Sequence, residues 1–253
     1  MQRNKNAIQN PTYRLNKYIS LCNAAPSRRA ADKLIEAGKI SIDGKVVSDF
    51  SFQVLPGTHI VTYEGKKLIP PTNNYYVLLN KPKDTITTRN DELDRKTILD
   101  VLDYPFKEQL KPVGRLDRNT TGLLVLTNDG DLIQSLTHPS NEVVKIYQAT
   151  LDKRITKNDL NLLLEGKELD DGFFQPDEIS LLEDPKQVGI QIHSGKNRIV
   201  RRYFESFGYQ VNYLDRVYFA GLTKYKLPRG KSRILEEKEV RLLLKNVKKK
   251  RQN

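Results

Sequence analysis

The chain has little of what several kinds of functional site require. It contains one cysteine and three histidines among 253 residues. None of His59, His138 and His193 lies near a second ligand at a spacing typical of metal sites. Cys22 has no partner for an internal disulfide, which fits a protein of the reducing cytoplasm. The sequence therefore predicts no metal, no disulfide and a cytoplasmic location.

Long apolar runs and nucleotide-binding glycine patterns are absent as well. No apolar segment approaches the roughly 20 residues that cross a bilayer. No apolar stretch follows the polar start Met-Gln-Arg-Asn-Lys-Asn, so we expect neither a membrane span nor a secretory signal. Neither a Walker-type nor a dinucleotide-type pattern occurs, and Gly122 and Gly130 are typical of turns. We therefore expect no nucleotide cofactor and predict no other cofactor.

Charge is unevenly distributed along the chain. The net charge is +12, from 43 lysines and arginines against 31 aspartates and glutamates. Residues 1–70 carry a net charge of +6 and residues 223–253 one of +9, whereas residues 71–222 carry −3. Solubility alone does not require basic ends, so this distribution predicts a polyanionic partner that both ends of the chain bind.

A small helical module is predicted near the N terminus, after a basic arm over residues 1–12 that we expect to be disordered. Leu15 begins an apolar stripe at helical spacing, and Ser27 is a suitable N-cap for a second helix that ends before Gly38. Asp43 and Gly44 form a two-residue hairpin turn signal. The pattern predicts two helices followed by short strands.

Three cations begin the second helix of this module, namely Arg28, Arg29 and Lys33. The dipole at a helix N terminus favours anions, so we interpret these cations as ligands for an external anion, with a solvated charged face as the alternative. The run Arg14-Leu15-Asn16-Lys17, Ser27-Arg28-Arg29 and Ile42-Asp43-Gly44 resembles the small S-four type RNA-binding domain. We expect this domain over residues 13–70 and a linker over residues 71–74.

The central motif lies at residues 114–130. Leu123 to Leu126 predict a buried strand, because they form a branched apolar run between Gly122 and a turn signal. The loop before this strand places Asp117 between Arg115 and Arg118. Adjacent cations favour an ionised carboxylate, so Asp117 is a candidate catalytic group. The alternative is a turn or capping residue bonded to nearby backbone amides.

Three further segments carry candidate site residues. Asn80-Lys81-Pro82 follows a predicted strand, and Tyr147 lies in another strand on the same face as Lys145. A tyrosine in such a strand is ordinarily core packing. A helix predicted from Lys196 places three arginines off its apolar face, in a cluster suited to phosphates or to a carboxylate: Arg198, Arg201 and Arg202. Between these segments, residues 167–186 predict an acidic loop with a short strand at its end.

Gly114-Arg115-Leu116-Asp117, with Thr120, Gly122-Leu123-Leu124 and Leu126-Thr127-Asn128-Asp129-Gly130, closely resembles the signature of the RsuA/RluB/RluE/RluF family of pseudouridine synthases. The resemblance implies that Asp117 is the catalytic aspartate, that Tyr147 stacks on the target base and that Arg201 pairs with Asp117. The residues that we expect to contact RNA in this part of the chain are Lys81, Arg115, Arg118, Lys196, Arg198 and Arg202. Ile199 and Tyr203 replace the Gln and Met of many relatives, which affects substrate details more than chemistry.

Three functional hypotheses follow. The first is a pseudouridine synthase acting on ribosomal RNA or a pre-ribosomal particle. Leu136-Thr137-His138-Pro139 resembles the RluB-like side of the family and favours the large-subunit RNA, with small-subunit RNA as the alternative. The second is a non-catalytic RNA-binding or ribosome-assembly protein, and the third is a glycosidase that releases free uracil.

The sequence and the resemblance together predict an α+β architecture. We expect the small N-terminal α/β RNA-binding module to be followed by a catalytic domain over residues 75–243. This domain is a mixed, mainly antiparallel sheet with flanking helices, and its topology is what the resemblance implies. Residues 244–253 predict a flexible basic tail, and we expect the protein to be a monomer.

Overall fold

A computed structural model describes residues 12–89 and 91–248 of the chain. The predicted disordered arm therefore lies outside the described residues, except for its last residue. The chain divides into two compact units, with the boundary between Asn74 and Tyr75. Within the described ranges, no helix has the length and apolar character needed to cross a membrane.

The N-terminal unit combines two helices with short antiparallel strands. Ser27 caps the second helix as expected, because its Oγ accepts a hydrogen bond of 3.1 Å from the amide of Ala30. The apolar faces of both helices pack on the strands around Leu15, Ile35 and Ile40, all fully buried. Its elements are β1 (Tyr13–Arg14), α1 (Leu15–Leu21), α2 (Arg28–Glu36), β2 (Ile40–Ile42), β3 (Lys45–Val46), β4 (Gln53–Val54), β5 (Val61–Tyr63) and β6 (Lys66–Lys67).

The C-terminal unit is built on one large sheet flanked by helices. Its strands are β7 (Tyr76–Lys81), β8 (Lys111–Pro112), β9 (Thr120–Thr127), β10 (Lys145–Leu151), β11 (Lys167–Leu169), β12 (Gly172–Phe174), β13 (Glu178–Leu181), β14 (Gln187–Ile192), β15 (Val211–Phe219), β16 (Leu222–Thr223) and β17 (Ser232–Ile234). Its helices are α3 (Gly130–Thr137), α4 (Lys157–Glu165), α5 (Ile199–Ser206) and α6 (Glu237–Lys248), with short 3-10 turns at Leu99–Val101, Lys107–Gln109 and Pro139–Asn141.

The sheet is mixed but mainly antiparallel, which confirms the predicted fold class. Its order is β13-β14-β10-β15-β9-β7-β17, with β16 paired to β15 and β8 to β9. The pairing of β15 with β9 is parallel, and the other strand pairs of this sheet are antiparallel. Strand β9 is buried along its whole length, as its apolar run predicts for a strand covered on both faces.

Alternate residues of β9 face two separate apolar cores. Leu123 and Val125 pack in the core that includes Leu136 of α3 and Leu243 of α6. Leu124 and Leu126 pack in the opposite core, which receives Ile199, Val200, Tyr203 and Phe204 of α5 and Leu163 of α4. Because both faces of β9 are covered, the loop that precedes it is held at one end of a rigid central strand.

Three expectations about this unit were wrong. Residues 167–186, expected to be a loop with one short strand at its end, instead hold three strands: β11 and β12 form a hairpin, and β13 pairs with β14. Helix α5 begins at Ile199 rather than at Lys196, since Arg198 adopts a left-handed conformation with φ of 45°. The predicted flexible tail is helical as far as Lys248, because α6 continues through its first residues, and residues 249–253 lie outside the described part.

Candidate active site

Hydrogen bonds from backbone and side-chain groups hold the loop that carries Asp117 in place. The Asp117 carbonyl accepts a hydrogen bond of 3.1 Å from the amide of Thr120, the first residue of β9. Thr87 holds the preceding residue, because its Oγ1 donates to the Leu116 carbonyl at 2.6 Å and lies 3.2 Å from the Leu116 amide. Gly114 begins the loop with φ of +74°, a conformation that favours glycine. The local sequence thus holds Asp117 beside the end of the strand.

A cavity of about 430 Å³ lies next to this loop. Asp117 and Tyr147, the two residues expected to act on the sugar and the base, both line it. Its wall also includes Arg115 and the segment that leads into α5, with Lys196 and Arg198. This volume falls within the range typical of small-molecule sites. The structure therefore gathers three motifs that are distant in the sequence around one cavity.

The direct partner of Asp117 is Arg198, not Arg201. Nη1 of Arg198 lies 3.5 Å from Oδ2 of Asp117, and both side chains are partly exposed. Among the described residues, no ion pair within 4.0 Å joins Arg201 to a carboxylate. Instead, Nη1 of the buried Arg201 donates to the Val211 carbonyl at 2.7 Å. The direct pairing of Arg201 with Asp117 that the resemblance implied is therefore wrong for this structure.

Arg201 still lies within electrostatic reach of Asp117. Burial lowers the pKa of its guanidinium, as does the neighbouring Arg198, whereas Asp117 acts in the opposite direction. Nε and Nη2 of Arg201 are buried without a hydrogen-bond partner. Arg201 does not line the cavity. It therefore attracts Asp117 electrostatically without contacting it.

Lys81 is fully buried, so it cannot contact RNA as expected. Its Nζ donates to the carbonyls of Pro82 at 3.1 Å, Thr85 at 2.6 Å and Arg118 at 3.2 Å. Burial lowers the pKa of this amine to about 8, while Asp117 and Asp84 act in the opposite direction. Lys81 therefore joins the end of β7 to the residue that follows Asp117.

Two other cations predicted to bind RNA are held by Asp171, at the turn between β11 and β12. Arg202 donates to both carboxylate oxygens of Asp171, at 3.1 and 2.8 Å. Lys196 donates to the Asp171 carbonyl at 2.7 Å. The hydrogen bonds from Arg202 are the main reason that the pKa of Asp171 is lowered. These cations fasten the β11–β12 hairpin to the start of α5. A loop was expected at the position of this hairpin, so the contacts were not predicted.

The remaining predicted RNA contacts are exposed. Arg115 lies on the cavity wall, and Arg118 forms an exposed ion pair with Asp84 at 3.2 Å. In the N-terminal unit, Arg28, Arg29 and Lys33 are exposed on the first turns of α2. Their exposure leaves them accessible to an anionic partner.

The sequence reasoning missed Arg216, a buried cation on the cavity wall. The strand register places it beside Tyr147 of β10 and beside Gly122 of β9. Its Nε donates to the Leu123 carbonyl at 2.7 Å, and its guanidinium lies 4.6 Å from the ring centre of Phe219. The available signal was an Asp-Arg pair, Asp215-Arg216, inside a largely apolar and aromatic strand.

Gly122 makes this arrangement possible. A Cβ at this position would lie 2.3 Å from the Arg216 carbonyl oxygen and 2.7 Å from Oδ1 of Asp215. Its φ is +104°, which side chains other than glycine rarely adopt. Glycine therefore permits the parallel strands to approach closely at the level of the cavity.

Lys145 is a further cation on the cavity wall, in addition to Arg216. Its Nζ donates to the carbonyls of Val143, His193 and Ser194. Burial lowers the pKa of this amine to about 8, and Arg216 contributes to that lowering. Within the described residues, no group of three or more His, Cys, Asp or Glu side chains is arranged to hold a metal ion.

Comparison with known proteins identifies the family to which this chain is similar. The family model described as RNA pseudouridylate synthase matches residues 75–206, and the S4 domain model matches residues 14–60. Ribosomal large subunit pseudouridine synthase B of Bacillus subtilis is 36% identical over 91% of this chain and 95% of its own length. Ribosomal small subunit pseudouridine synthase A of Escherichia coli is 31% identical over 90% of this chain and 98% of its own length.

A solved structure extends the similarity to the fold. A crystal structure of a pseudouridylate synthase matches with a TM-score of 0.66 and 29% identity, covering 91% of this chain and 99% of that one. The family match covers the central motif, the Tyr147 strand and α5, which together surround the cavity. The chain therefore belongs to the RNA pseudouridylate synthase family, in its RsuA/RluB group, with an S4 domain ahead of the catalytic unit.

Proposed function

We propose that this RNA pseudouridine synthase isomerises a specific uridine of large-subunit ribosomal RNA, with Asp117 as the catalytic carboxylate. The observation that carries the proposal is the shared cavity, which Asp117 and Tyr147 both line. Ribosomal RNA as the substrate is supported by the two relatives named above, a large-subunit and a small-subunit pseudouridine synthase. The Leu136-Thr137-His138-Pro139 segment favours the large subunit, and this substrate implies a cytoplasmic enzyme.

The reaction needs a carboxylate and a base pocket but no redox change. The bond from C1′ to N1 of the uridine breaks, the uracil turns, and a bond from C1′ to C5 forms. C5 then loses its proton and N1 gains one, so the product is an isomer of the substrate. Asp117 would either attack the sugar or accept a sugar proton as the base departs, as carboxylates do in glycoside cleavage.

The base must leave its stack to reach this cavity. Enzymes that act on a base flip it into a pocket with an aromatic or apolar wall. Tyr147 and Phe219 supply aromatic rings on the cavity wall, with Leu136 and Ile192 as apolar neighbours. The target uracil would stack on Tyr147.

Two cations on the cavity wall, the buried Arg216 and the partly buried Lys145, favour the departure of uracil as an anion. Arg216 lies beside Tyr147 in the neighbouring strand, and Lys145 lines the same cavity. Charge that develops in a site of low dielectric constant is stabilised strongly by fixed groups that need no reorganisation. Arg198 contacts the Asp117 carboxylate at 3.5 Å, and Arg201 attracts it electrostatically without contact.

Replacement of Asp117 by asparagine tests the proposal. We expect Asp117→Asn to form no pseudouridine in large-subunit ribosomal RNA transcripts, while RNA affinity is retained, because the asparagine keeps the shape and removes the charge. Chromatography of the digested nucleosides separates pseudouridine from uridine, which has the same mass, and a filter-binding titration measures affinity. Full activity in this variant would contradict the role of Asp117.

The same assay separates the remaining hypotheses. Release of free uracil by the wild type would identify a glycosidase, whereas RNA binding with neither product would identify a non-catalytic RNA-binding protein. Parallel reactions with small-subunit RNA decide the substrate, since product in that RNA alone would contradict the large-subunit assignment.

A further inference from the structure

A second cavity of about 830 Å³ lies directly beside the catalytic cavity. The two share lining residues, among them Leu136, Lys145 and Gly195. The other walls of the second cavity include His138, His193 and Phe173 of the β11–β12 hairpin. A uridine held in the first cavity remains covalently joined to its neighbours, so an adjacent nucleotide lies within reach of the second.

Phe173 presents an uncovered aromatic ring at this cavity. Phe173 is 58% exposed, whereas the neighbouring Phe174 is buried and packs against Tyr203 at 4.8 Å between ring centres. The ring of Phe173 lies against Gly166, because a Cβ there would be 2.6 Å from its Cζ. An exposed ring held in this way is a preformed stacking face.

The hairpin that carries Phe173 is fastened to the catalytic elements. Asp171 binds Arg202 through both carboxylate oxygens and accepts from Lys196 through its carbonyl. The segment between these two cations contains Arg198, which contacts Asp117. The stacking face and the catalytic carboxylate are therefore tied to the same short stretch of chain.

The polar groups of the second cavity suit a nucleotide. Its one lining carboxylate, Asp177, lies 2.6 Å from Nδ1 of His193 and is thus already engaged. His138, Lys145 and Lys196 add nitrogen groups, and Pro139 and Pro176 add apolar surface. These walls combine an exposed ring for a base with polar and apolar surface, and aromatic stacking of this kind is typical of single-stranded RNA sites.

We propose that the second cavity is a subsite for a nucleotide adjacent to the target uridine, whose base stacks on Phe173. This proposal rests on the proposed function, because it takes a uridine of an RNA chain as the occupant of the first cavity. Base stacking on an aromatic side chain contributes roughly 1–3 kcal/mol and tolerates any base. The subsite would therefore position the RNA strand rather than read its sequence.

The experiment uses the full-length enzyme and the ribosomal RNA transcript in which the wild type forms pseudouridine. The nucleotides on either side of the modified position are replaced, one at a time, by abasic nucleotides. Phe173→Ala removes the stacking face, and Phe173→Tyr retains it. Tyr225→Ala is the matched control, because Tyr225 is 74% exposed and lines neither cavity.

We expect Phe173→Ala to lower kcat/KM roughly 5- to 150-fold, which corresponds to the stacking energy, mainly by raising KM. Phe173→Tyr and Tyr225→Ala keep wild-type values, and the melting temperature of Phe173→Ala stays close to that of the wild type. One abasic substitution lowers wild-type kcat/KM by a similar factor and has no further effect on Phe173→Ala.

Two results would overturn the subsite. Wild-type kinetics in Phe173→Ala would show that the ring contacts no nucleotide. If the abasic substitution lowers kcat/KM of Phe173→Ala by the same factor as that of the wild type, the missing base is not the one that stacks on the ring. A wild type that forms no pseudouridine fails at an earlier step and refutes the proposed function itself.

Discussion

The close contact at Gly122 leads to a sharp prediction about stability and activity. In Gly122→Ala, the new methyl would lie 2.3 Å from the Arg216 carbonyl oxygen and 2.6 Å from its amide nitrogen. Ordinary contacts between such atoms are about 3.5 Å, so strand β15 must move by roughly 1 Å relative to β9. The overlap involves backbone atoms in the middle of a sheet, so no side-chain rotation can relieve it.

The expected cost follows from two separate effects. Overpacking in a well-packed core costs about 1–3 kcal/mol, and a residue other than glycine in an unfavourable backbone conformation costs about 1–3 kcal/mol more. We therefore expect Gly122→Ala to lose about 2–6 kcal/mol of the free energy of unfolding. Because β15 carries Arg216 beside Tyr147, a 1 Å shift is expected to lower kcat roughly 100-fold.

Urea denaturation measures the stability, and pseudouridine formation at saturating RNA measures kcat. Gly130→Ala is the control, because Gly130 is the first residue of α3 and a Cβ there meets no atom within 4 Å. Alanine favours helix, so this control is expected to leave the free energy of unfolding unchanged or up to about 1 kcal/mol higher. A Gly122→Ala variant within 1 kcal/mol of the wild type would refute the reasoning.

Three further predictions concern buried groups. Arg201→Met should lower kcat and cost about 1–3 kcal/mol of the free energy of unfolding, because the Val211 carbonyl loses its donor while two guanidinium nitrogens have no partner to lose. A loss of about 5 kcal/mol in urea denaturation would instead indicate a buried ion pair and contradict this account. Burial lowers the pKa of Lys81 in the folded protein to about 8. Below pH 8 the buried amine is charged, and this charge lowers the free energy of unfolding. The wild type should therefore gain about 2 kcal/mol relative to Lys81→Met between pH 7 and 9.5, and parallel denaturation curves at both pH values would contradict this. Burial raises the pKa of Cys22 to about 12, so iodoacetamide at pH 8 should alkylate the native thiol roughly a thousandfold more slowly than the urea-unfolded one; equal rates by mass spectrometry would contradict its burial.

Local features of the fold were predictable because their causes are local. The Ser27 cap, the turn at Asp43 and Gly44, and the apolar run of β9 each depend on neighbouring residues. The fold class, which the structure confirms, was predicted from such local patterns together with the family resemblance. The hairpin at β11 and β12 escaped prediction because its order depends on Asp171 binding two cations about 30 positions away.

The contacts that side chains make inside the site could not be predicted from neighbouring residues in the sequence. Arg198 and Arg201 both follow the same motif, and only the left-handed backbone at Arg198 decides which guanidinium meets Asp117. Lys81 looked like a surface cation because its three carbonyl acceptors come from separate loop segments. Arg216 was missed because its neighbours Gly122 and Tyr147 are set by strand order, which periodicity does not contain.

The internal pairing of cations in the catalytic unit has a consequence for how salt affects the enzyme. Of the six cations there that were expected to meet phosphates, five already donate to oxygen atoms of the protein: Lys81, Arg118, Lys196, Arg198 and Arg202. A cation that stays bonded to the protein contacts no phosphate and so releases few counterions from the nucleic acid when the complex forms. These five cations are therefore expected to add little to the dependence of RNA affinity on ionic strength.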